Sequence, residues 1–459
     1  MLGIITYSAI VATLLLFIWK RPSIALAGVL CMFGLEQWGQ ATHPFFSQHQ
    51  TFTNVLIGGT LLLAILIKLL KGENAIMEYS PVGWLVLGLF GYALASTVWA
   101  PRSDLSQDIW ASRGPYVVTF LLLTPLVITH TADVQAAFRA LILMGTALTV
   151  LLLLFVSWDS RTIILEGGSG NPLAVSQMAG MVALVAILGD PWRTSKLWQI
   201  LRWAVVTICL LLVIRSGARG QLVGLVLVSV ACWPLSHRVK SIGQLILLIG
   251  LMGFLGGVTS LGLQEFWGTK SSYYAGGSRW STSAMEGAMS ERLGQALYLL
   301  QIWFRSVETI IFGLGNSAAF DPKILGIYPH FVPLEILAEE GLVGSGIYLL
   351  ILVLLFRSSH KSLRMLSEDP EERLIFGTLV SLALFTLILS FKQGSLLGNL
   401  EFFMFAIILD RRSKSLMRQR KQIRGMAKVD SPDTYKPFDV STIARKPFME
   451  SLPLTGKEK

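Results

Sequence analysis

The chain has 459 residues, of which 53% are hydrophobic and 14% charged, and its mean hydropathy is +0.61. An ordinary soluble protein is about 25% charged. The composition therefore argues against a soluble enzyme, a disordered protein and a nucleic-acid-binding domain. The net charge is +10. In a membrane protein, the positions of Lys and Arg indicate the orientation, because these residues collect in cytoplasmic loops. Cys31, Cys209 and Cys232 lie in apolar runs and have neither metal-ligand spacing nor a disulfide pattern.

The apolar runs predict an all-α, polytopic membrane protein with about 12–13 transmembrane helices. A spanning helix needs about 20 mostly apolar residues. The runs lie near 2–19, 22–35, 51–70, 82–100, 115–130, 136–157, 172–190, 198–214, 218–234, 241–263, 342–357, 373–391 and 395–409. The second run is short and only Lys392-Gln393-Gly394 separates the last two, so twelve spans remain an alternative. The first run continues past Lys20-Arg21 without a cleavage site, which predicts an uncleaved helix.

The distribution of basic residues sets the orientation and divides the chain. The C-terminal tail carries 13 of the 38 Lys and Arg residues, which places it in the cytoplasm and the longest loop outside. The N-terminus then lies outside with thirteen spans and inside with twelve. The predicted regions are transmembrane helices over 1–263, a large periplasmic loop over 264–341, C-terminal transmembrane helices over 342–409, and a disordered cytoplasmic tail over 410–459.

The large loop contains the most specific sequence. It opens with the polar stretch Gly268 to Gly287, and apolar residues then recur at helical spacing from about Ser290. This segment is too polar to span, so we expect a helix along the membrane surface or over a cavity, with Arg292 near its start. The turn-rich stretch Phe312 to Asn316 ends it.

A second helix is predicted after His330. Pro333 suits its first turn and Gly341 its end, with Glu335 and Glu339 on a different face from the apolar residues. His330 lies just ahead of the helix N-terminus, where the dipole favours a neutral ring. A neutral imidazole can accept a proton from a hydroxyl group. The alternative is a surface histidine in a loop.

Three arginines on the outer side are candidate phosphate ligands. Arg215 and Arg219 lie in a very short turn, Ile214 to Gly220, with no carboxylate beside them. Arg292 has no acidic residue three or four positions away. The guanidinium group suits phosphate because its donors form a fixed fork. The alternatives are snorkelling to the interface for the first two arginines and a solvated surface position for Arg292.

Other motifs are weak or missing. The outer segment Glu166 to Ala174 is a flexible turn that leads into a helix with Pro172 in its first turn, and it either lines a headgroup site or serves as a connector. The sequence contains no G-x-x-x-x-G-K-[ST] loop, no D-x-D pair, no H-E-x-x-H and no Cys/His cluster. We therefore expect no nucleotide, metal or other cofactor.

Four pieces together resemble the bacterial O-antigen ligase and O-antigen polymerase family. These pieces are Ser216-Gly217-Ala218-Arg219-Gly220, the Arg-led helix from Arg292 to Trp303, Phe312-Gly313-Leu314-Gly315, and the His-led segment that ends in Glu340-Gly341-Leu342-Val343-Gly344. The resemblance is clearest over 200–360. The family usually has Asn after the histidine, where this chain has Phe331.

The resemblance implies a metal-independent, inverting glycosyltransferase of lipopolysaccharide or polysaccharide biosynthesis in the inner membrane. The donor would be an undecaprenyl-diphosphate-linked glycan, and the acceptor a hydroxyl group of a glycan or glycolipid at the outer face. Arg219 and Arg292 would hold the diphosphate with Arg215 in support, and His330 would act on the acceptor hydroxyl. Partners would be these lipids and glycans, with no nucleic acid. The alternatives are a protein O-oligosaccharyltransferase and a transporter or flippase of a lipid-linked or anionic solute.

Overall fold

In a computed structural model, 83% of the residues that the structure describes are helical. The structure describes residues 2–73, 80–158, 163–165, 168–192, 195–237, 241–244, 246–247, 249–254, 257, 282–366 and 369–429. Parts of the predicted regions lie outside these residues, namely 264–281 of the large loop and 430–459 of the tail. The all-α, polytopic architecture predicted from the sequence is confirmed.

Fifteen helices are labelled here in chain order. They are α1 (Leu2–Lys20), α2 (Ala25–Thr42), α3 (Pro44–Gln48), α4 (Phe52–Leu70), α5 (Pro81–Ser96), α6 (Ser103–Val117), α7 (Thr131–Phe155), α8 (Pro172–Leu184), α9 (Lys196–Arg215), α10 (Arg219–Ser236), α11 (Thr282–Trp303), α12 (Val307–Phe312), α13 (Val332–Met365), α14 (Pro370–Ser390) and α15 (Leu400–Val429). A short antiparallel hairpin pairs β1 (Ile163–Leu165) with β2 (Gly168–Gly170). The described residues between 242 and 254 are also helical.

Eight helices in the described part of the chain are long and apolar enough to cross a membrane. They are α1, α4, α7, α8 with its extension to Gly189, α9, α10, α13 and α14. Their mean hydropathy lies between 1.3 and 2.2. A helix satisfies all its backbone hydrogen bonds internally, which is why apolar stretches of this length adopt it in lipid. α5 is apolar but shorter, with 16 residues.

Other predicted runs take different forms. The run 22–35 belongs to α2, whose first eight residues are all buried and whose second half is too polar to count as a span. The prediction of one apolar helix over 115–130 is wrong, because polar α6 ends at Val117 and irregular helical turns follow it to Val127. Pro125 lacks the N–H group that a regular helix needs.

The C-terminal region differs from its prediction at its start. Residues 410–429 were expected in an irregular tail, yet α15 continues through them to Val429. They are rich in Arg, Lys, Gln, Leu and Met, which all have high helix propensity. The compact body of the protein ends at Lys414.

One end of the helical body is held by ion pairs and is called the basic end. Lys68 near the end of α4 bonds Asp133 at the start of α7, with 2.9 Å between Nζ and Oδ2. Arg412 on α15 lies 3.1 Å from Glu372 at the start of α14. Arg373 donates to the carbonyl oxygen of Leu235 at the end of α10. These contacts place the ends of α4 and α10 beside the starts of α7 and α14.

The opposite end, called the site end, carries the Arg215–Arg219 turn and the start of α13. Here α11 packs against the first turns of α13 through a buried apolar cluster that includes Leu299, Trp303, Leu334 and Ala338. Apolar spacing predicts the α13 face of this cluster. On α11 it does not, because Leu293, Leu297 and Phe304, which share the predicted spacing, are exposed while Leu299 and Trp303 are buried. The cluster places the helix that carries Arg292 beside the segment that begins with His330.

Candidate functional site

His330 occupies a constrained position just before α13. Its φ is 58°, in the left-handed region that residues with a side chain rarely adopt. The helix begins two residues later at Val332, with Pro333 in its first turn, as the sequence predicts. The imidazole is half-buried, and its centroid lies 4.2 Å from that of the Tyr328 ring. The sharp turn and this ring contact fix the direction of the histidine side chain.

The surroundings of His330 favour its neutral form. Burial lowers the pKa of His330 below its ordinary value, the positive charge of Arg292 lowers it further, and Glu291 opposes both. The sequence predicts the same direction from the helix dipole, whereas burial and Arg292 are the causes in the structure. Arg292 is thus close enough to His330 for their charges to interact. At neutral pH the ring is an available proton acceptor.

The arginine turn has the compact form predicted from the sequence. α9 ends at Arg215, three residues turn, and α10 begins at Arg219. Gly217 has a φ of 64° in this turn. Arg215 is only 7% exposed, and its guanidinium carbon lies 5.6 Å from the centre of the Trp158 ring. Among the described residues, Nη1 of Arg219 is buried without a hydrogen-bond partner.

Lys392, which separates the last two apolar runs, lies against this turn. Its side chain passes over Gly220, where a Cβ atom would meet its Cδ at 2.1 Å. Gln221 donates to Oε1 of Gln393 at 2.6 Å. The connection after α14 therefore docks on the start of α10 and brings another cation beside Arg219.

A polar cavity of about 520 Å³ lies at the site end. Its charged lining consists of three carboxylates and one guanidinium: Glu36, Glu335, Glu401 and Arg113. Tyr116, Tyr328 and several amide side chains complete its polar wall. Parts of α2, α6, α8, the start of α13 and the connection 393–399 enclose it. Carboxylates and amides, rather than a row of cations, give this cavity its character.

Contacts connect the predicted residues to the cavity without placing them in its wall. The four predicted site residues, Arg215, Arg219, Arg292 and His330, are absent from its described lining. Tyr328, the ring neighbour of His330, does line it. The rings of Phe331 and Phe391 are 5.4 Å apart, and Phe391 precedes Lys392. The structure thus brings Arg292 and His330 together at the cavity edge and connects Arg219 to them through the 391–393 segment.

Two of the glycine-rich motifs interlock. Gly341 has φ 63° and ψ −161°, which breaks the helical hydrogen-bond ladder of α13. The freed carbonyl oxygens of Ala338 and Glu339 accept from the N–H groups of Leu314 and Gly315, both at 2.9 Å. A Cβ at Gly313 would lie 2.1 Å from the carbonyl oxygen of Glu339. These glycines therefore hold the 313–315 segment against the helix that follows His330.

Buried polar groups reinforce this interlock. Glu339, 1% exposed, accepts from the backbone N–H groups of Ser317 at 2.6 Å and Ala319 at 2.9 Å. Asn316 is buried, donates to Glu340 at 3.0 Å, and accepts from the indole N–H of Trp110 at 2.8 Å. The loop is tied in this way to α6 as well as to α13.

The segment Glu166 to Ala174 contributes to the cavity through its last residues. Asn171 caps α8 by accepting from two backbone N–H groups, with Pro172 in the first turn as predicted. Its own N–H donates to Oε1 of Gln37 at 2.8 Å. Asn171 and Ala174 both line the cavity. The segment is therefore more than a connector in the described structure, while Glu166 and Gly167 lie outside the described residues.

Several cavity residues have no distinctive sequence signal. Arg113 lies in polar α6 and Glu36 in the second half of α2, and neither belongs to a recognisable motif. Glu335 and Glu339 were predicted on a separate helix face, but their burial was not foreseen. The available clue was the presence of carboxylates beside apolar residues on a short helix between two loops. Among the described residues, no group of three or more His, Cys, Asp and Glu side chains is arranged to hold a metal ion.

Comparisons with known proteins do not assign a family. No protein-family model matches the chain, and no curated protein matches it either.

Proposed function

We propose that the protein transfers a glycan from an undecaprenyl-diphosphate carrier to an acceptor hydroxyl group at the outer face of the bacterial inner membrane. The carrying observation is the juxtaposition of Arg292 with a half-buried, neutral His330 at the edge of a polar cavity. The resemblance to O-antigen ligases and polymerases supports the same reaction. A soluble substrate would not require a site among apolar helices of membrane-spanning length.

The proposed donor site is cationic. Arg219 has a buried, unpartnered Nη1 group among the described residues, and such a donor is satisfied by a phosphate oxygen. Lys392 adds a positive charge beside the start of α10, and Arg292 adds one beside His330. Arg215 packs on the Trp158 ring and supports the turn. Neutralising the diphosphate makes it a good leaving group, so the arginines serve the role that a metal has elsewhere.

The proposed chemical step is a single displacement with inversion. The acceptor oxygen attacks the anomeric carbon while the bond from that carbon to the diphosphate oxygen breaks. The electron pair leaves with the diphosphate, and the acceptor hydroxyl proton passes to the neutral imidazole of His330. The carrier bond is already activated, so the reaction needs no ATP.

The proposal includes the finer topology. The eight described apolar helices would be part of 12–13 spans, with the 264–341 loop in the periplasm and the C-terminal tail in the cytoplasm. The basic end would then face the cytoplasm, in agreement with the distribution of Lys and Arg. α11 would lie on the membrane surface over the site.

Replacing His330 with alanine tests the proposed reaction. His330→Ala should reduce glycan transfer by a factor of about 10² or more, because a general base contributes 10²–10⁴-fold. The measurement is the envelope glycan profile of a deletion strain that carries the variant, with protein level followed by immunoblot. His360→Ala is the matched control, because His360 is exposed in the second half of α13. Full transfer by His330→Ala at normal protein level would refute the role.

The same deletion strain separates two versions of the reaction. Accumulated carrier-linked long chains would identify a ligase, and accumulated single repeat units would identify a polymerase.

A further inference from the structure

Two residues that line the cavity each have a buried polar atom without a hydrogen-bond partner among the described residues. Glu335, 2% exposed, accepts from the N–H of Leu396 through Oε1 at 3.0 Å, while its Oε2 is unsatisfied among the described residues. Asn399 is 6% exposed, and its Nδ2 is a buried donor that also has no hydrogen-bond partner among the described residues. Both side chains line the 520 Å³ cavity. An unpaired buried polar group is costly, so a pair of them on residues of one cavity wall indicates a ligand that satisfies both.

The remaining wall is already arranged. Gln393 donates to Oε1 of Gln177 at 3.0 Å and accepts from Gln221 at 2.6 Å. Gln37 accepts from the N–H of Asn171. These contacts occupy part of the amide wall. Among the described lining residues, the buried side-chain atoms left without a partner are the Glu335 acceptor and the Asn399 donor. A hydroxyl group is both donor and acceptor and therefore suits such a pair.

The wall offers little positive charge to the carrier diphosphate. Three carboxyl groups and one guanidinium line it, and Arg113 is close enough to Glu36 for their charges to interact. An uncharged, hydroxyl-rich molecule needs no cation and therefore suits this wall better than a diphosphate does. The volume lies within the range of about 300–1,000 Å³ that small-molecule sites occupy. The cationic groups around Arg219 and the acidic cavity thus suit different parts of a substrate.

We propose that this cavity binds a sugar residue of the acceptor, with Glu335 accepting from one hydroxyl group and Asn399 donating to another oxygen. The inference rests on the proposed function, because it assigns the cavity to the acceptor rather than to the donor. Tyr328 lines the cavity and contacts His330, so a sugar held there presents a neighbouring hydroxyl group toward the imidazole. Glu335 and Asn399 are positioning and specificity residues, and His330 alone receives the proton.

Binding of simple glycosides to the purified full-length protein tests this inference. The probes are methyl β-glucoside, methyl β-galactoside and methyl α-rhamnoside, titrated into protein in lipid nanodiscs and followed by ligand-observed saturation-transfer NMR. The wild type should bind at least one of them. Glu335→Gln and Asn399→Asp should each weaken that binding about tenfold or more, because each loses one hydrogen bond to the sugar. Glu308→Gln is the matched control at an exposed carboxylate on α12.

Each outcome either supports or overturns the proposed sugar site. Binding that both cavity variants weaken and Glu308→Gln retains supports the sugar site. No binding of any glycoside by the wild type, equal binding by the cavity variants, or displacement of the sugar by inorganic pyrophosphate overturns it. Thermal melting of the two variants, which preserve side-chain size, verifies folding. The assay contains no lipid donor, so a failure of the proposed transfer reaction leaves its result unchanged and the two failures are distinguishable.

Discussion

At the scale of single residues, His330 combines backbone strain with a defined electrostatic setting. A residue with a side chain in the left-handed region costs on the order of 1–3 kcal/mol and persists only where its surroundings impose it. Here the Tyr328 ring packs against the imidazole, and the Phe331 ring packs against Phe391. In this position the imidazole interacts with the charge of Arg292 and contacts Tyr328, a residue of the cavity wall. The proposed reaction needs both neighbours.

The charge of Arg292 gives a prediction for pH dependence. Arg292 disfavours the imidazolium form, so Arg292→Gln should raise the pKa of His330. Transfer requires the neutral ring, and the acid limb of the kcat/KM profile should therefore move to higher pH. The rate at the plateau should also fall about tenfold or more, because a charge-assisted bond to the donor is lost.

The same profile measured on Arg305→Gln provides the control, since Arg305 is exposed just after α11. An acid limb at the wild-type position in Arg292→Gln would show that the arginine does not act on the histidine.

Sequence reasoning at this scale succeeded for local structure within a short segment. His330, Pro333 and Gly341 lie where local spacing places them. The prediction of Arg292 near a helix start at about Ser290 is wrong, because α11 begins at Thr282 and carries Arg292 in its middle. Arg113, Glu36 and Asn399 were missed because they come from distant parts of the chain and meet only in the folded protein. No local pattern marks a residue whose partner is hundreds of positions away.

At the scale of elements, the contact between the 313–315 segment and α13 positions the site. Gly341 adopts a combination of φ and ψ that is essentially restricted to glycine. A Cβ there would lie 2.4 Å from the backbone nitrogen of Gly313. The sequence predicts the turn and the helix end, but it does not predict that these two glycine-rich stretches bind each other. That contact depends on a backbone approach that only the folded structure reveals.

Replacing Gly341 tests the importance of this contact. Gly341→Ala should destabilise the protein by about 1–3 kcal/mol from backbone strain alone, and the clash with Gly313 should add to this. The measurement is the melting temperature and yield of the detergent-purified variant. Gly346→Ala, in the helical part of the same element with open space around it, should be neutral or slightly stabilising. Equal melting temperatures for the two variants would contradict the structural role of Gly341.

At the scale of the whole molecule, the two ends of the helical body differ in chemistry. Ion pairs join helices at the basic end, whereas the site end presents a carboxylate-rich cavity and the arginine turn. Composition and charge were enough to predict the helical, polytopic architecture, because lipid demands apolar helices of a minimum length. They were not enough to separate spans from buried helices such as α2, since both are apolar and only packing distinguishes them.

The orientation in the membrane is tested by single introduced cysteines. The native Cys31, Cys209 and Cys232 are buried, so their reaction with a reagent from outside should be slow. Arg305→Cys at the site end should react with a membrane-impermeant maleimide in cells with a permeabilised outer membrane. Lys361→Cys, exposed near the end of α13, should react only after lysis. The reverse pattern would place the proposed site in the cytoplasm and exclude a periplasmic reaction.

The glycine contact also has a consequence for engineering. The bonds from Leu314 and Gly315 to the Ala338 and Glu339 carbonyls bring the two ends of residues 315–339 together. The ends of such a closed loop stay in place when the length of its tip changes. Pro322, Lys323 and Gly326 are exposed at that tip. A peptide tag inserted there would project from the surface, while His330 and the cavity keep their positions.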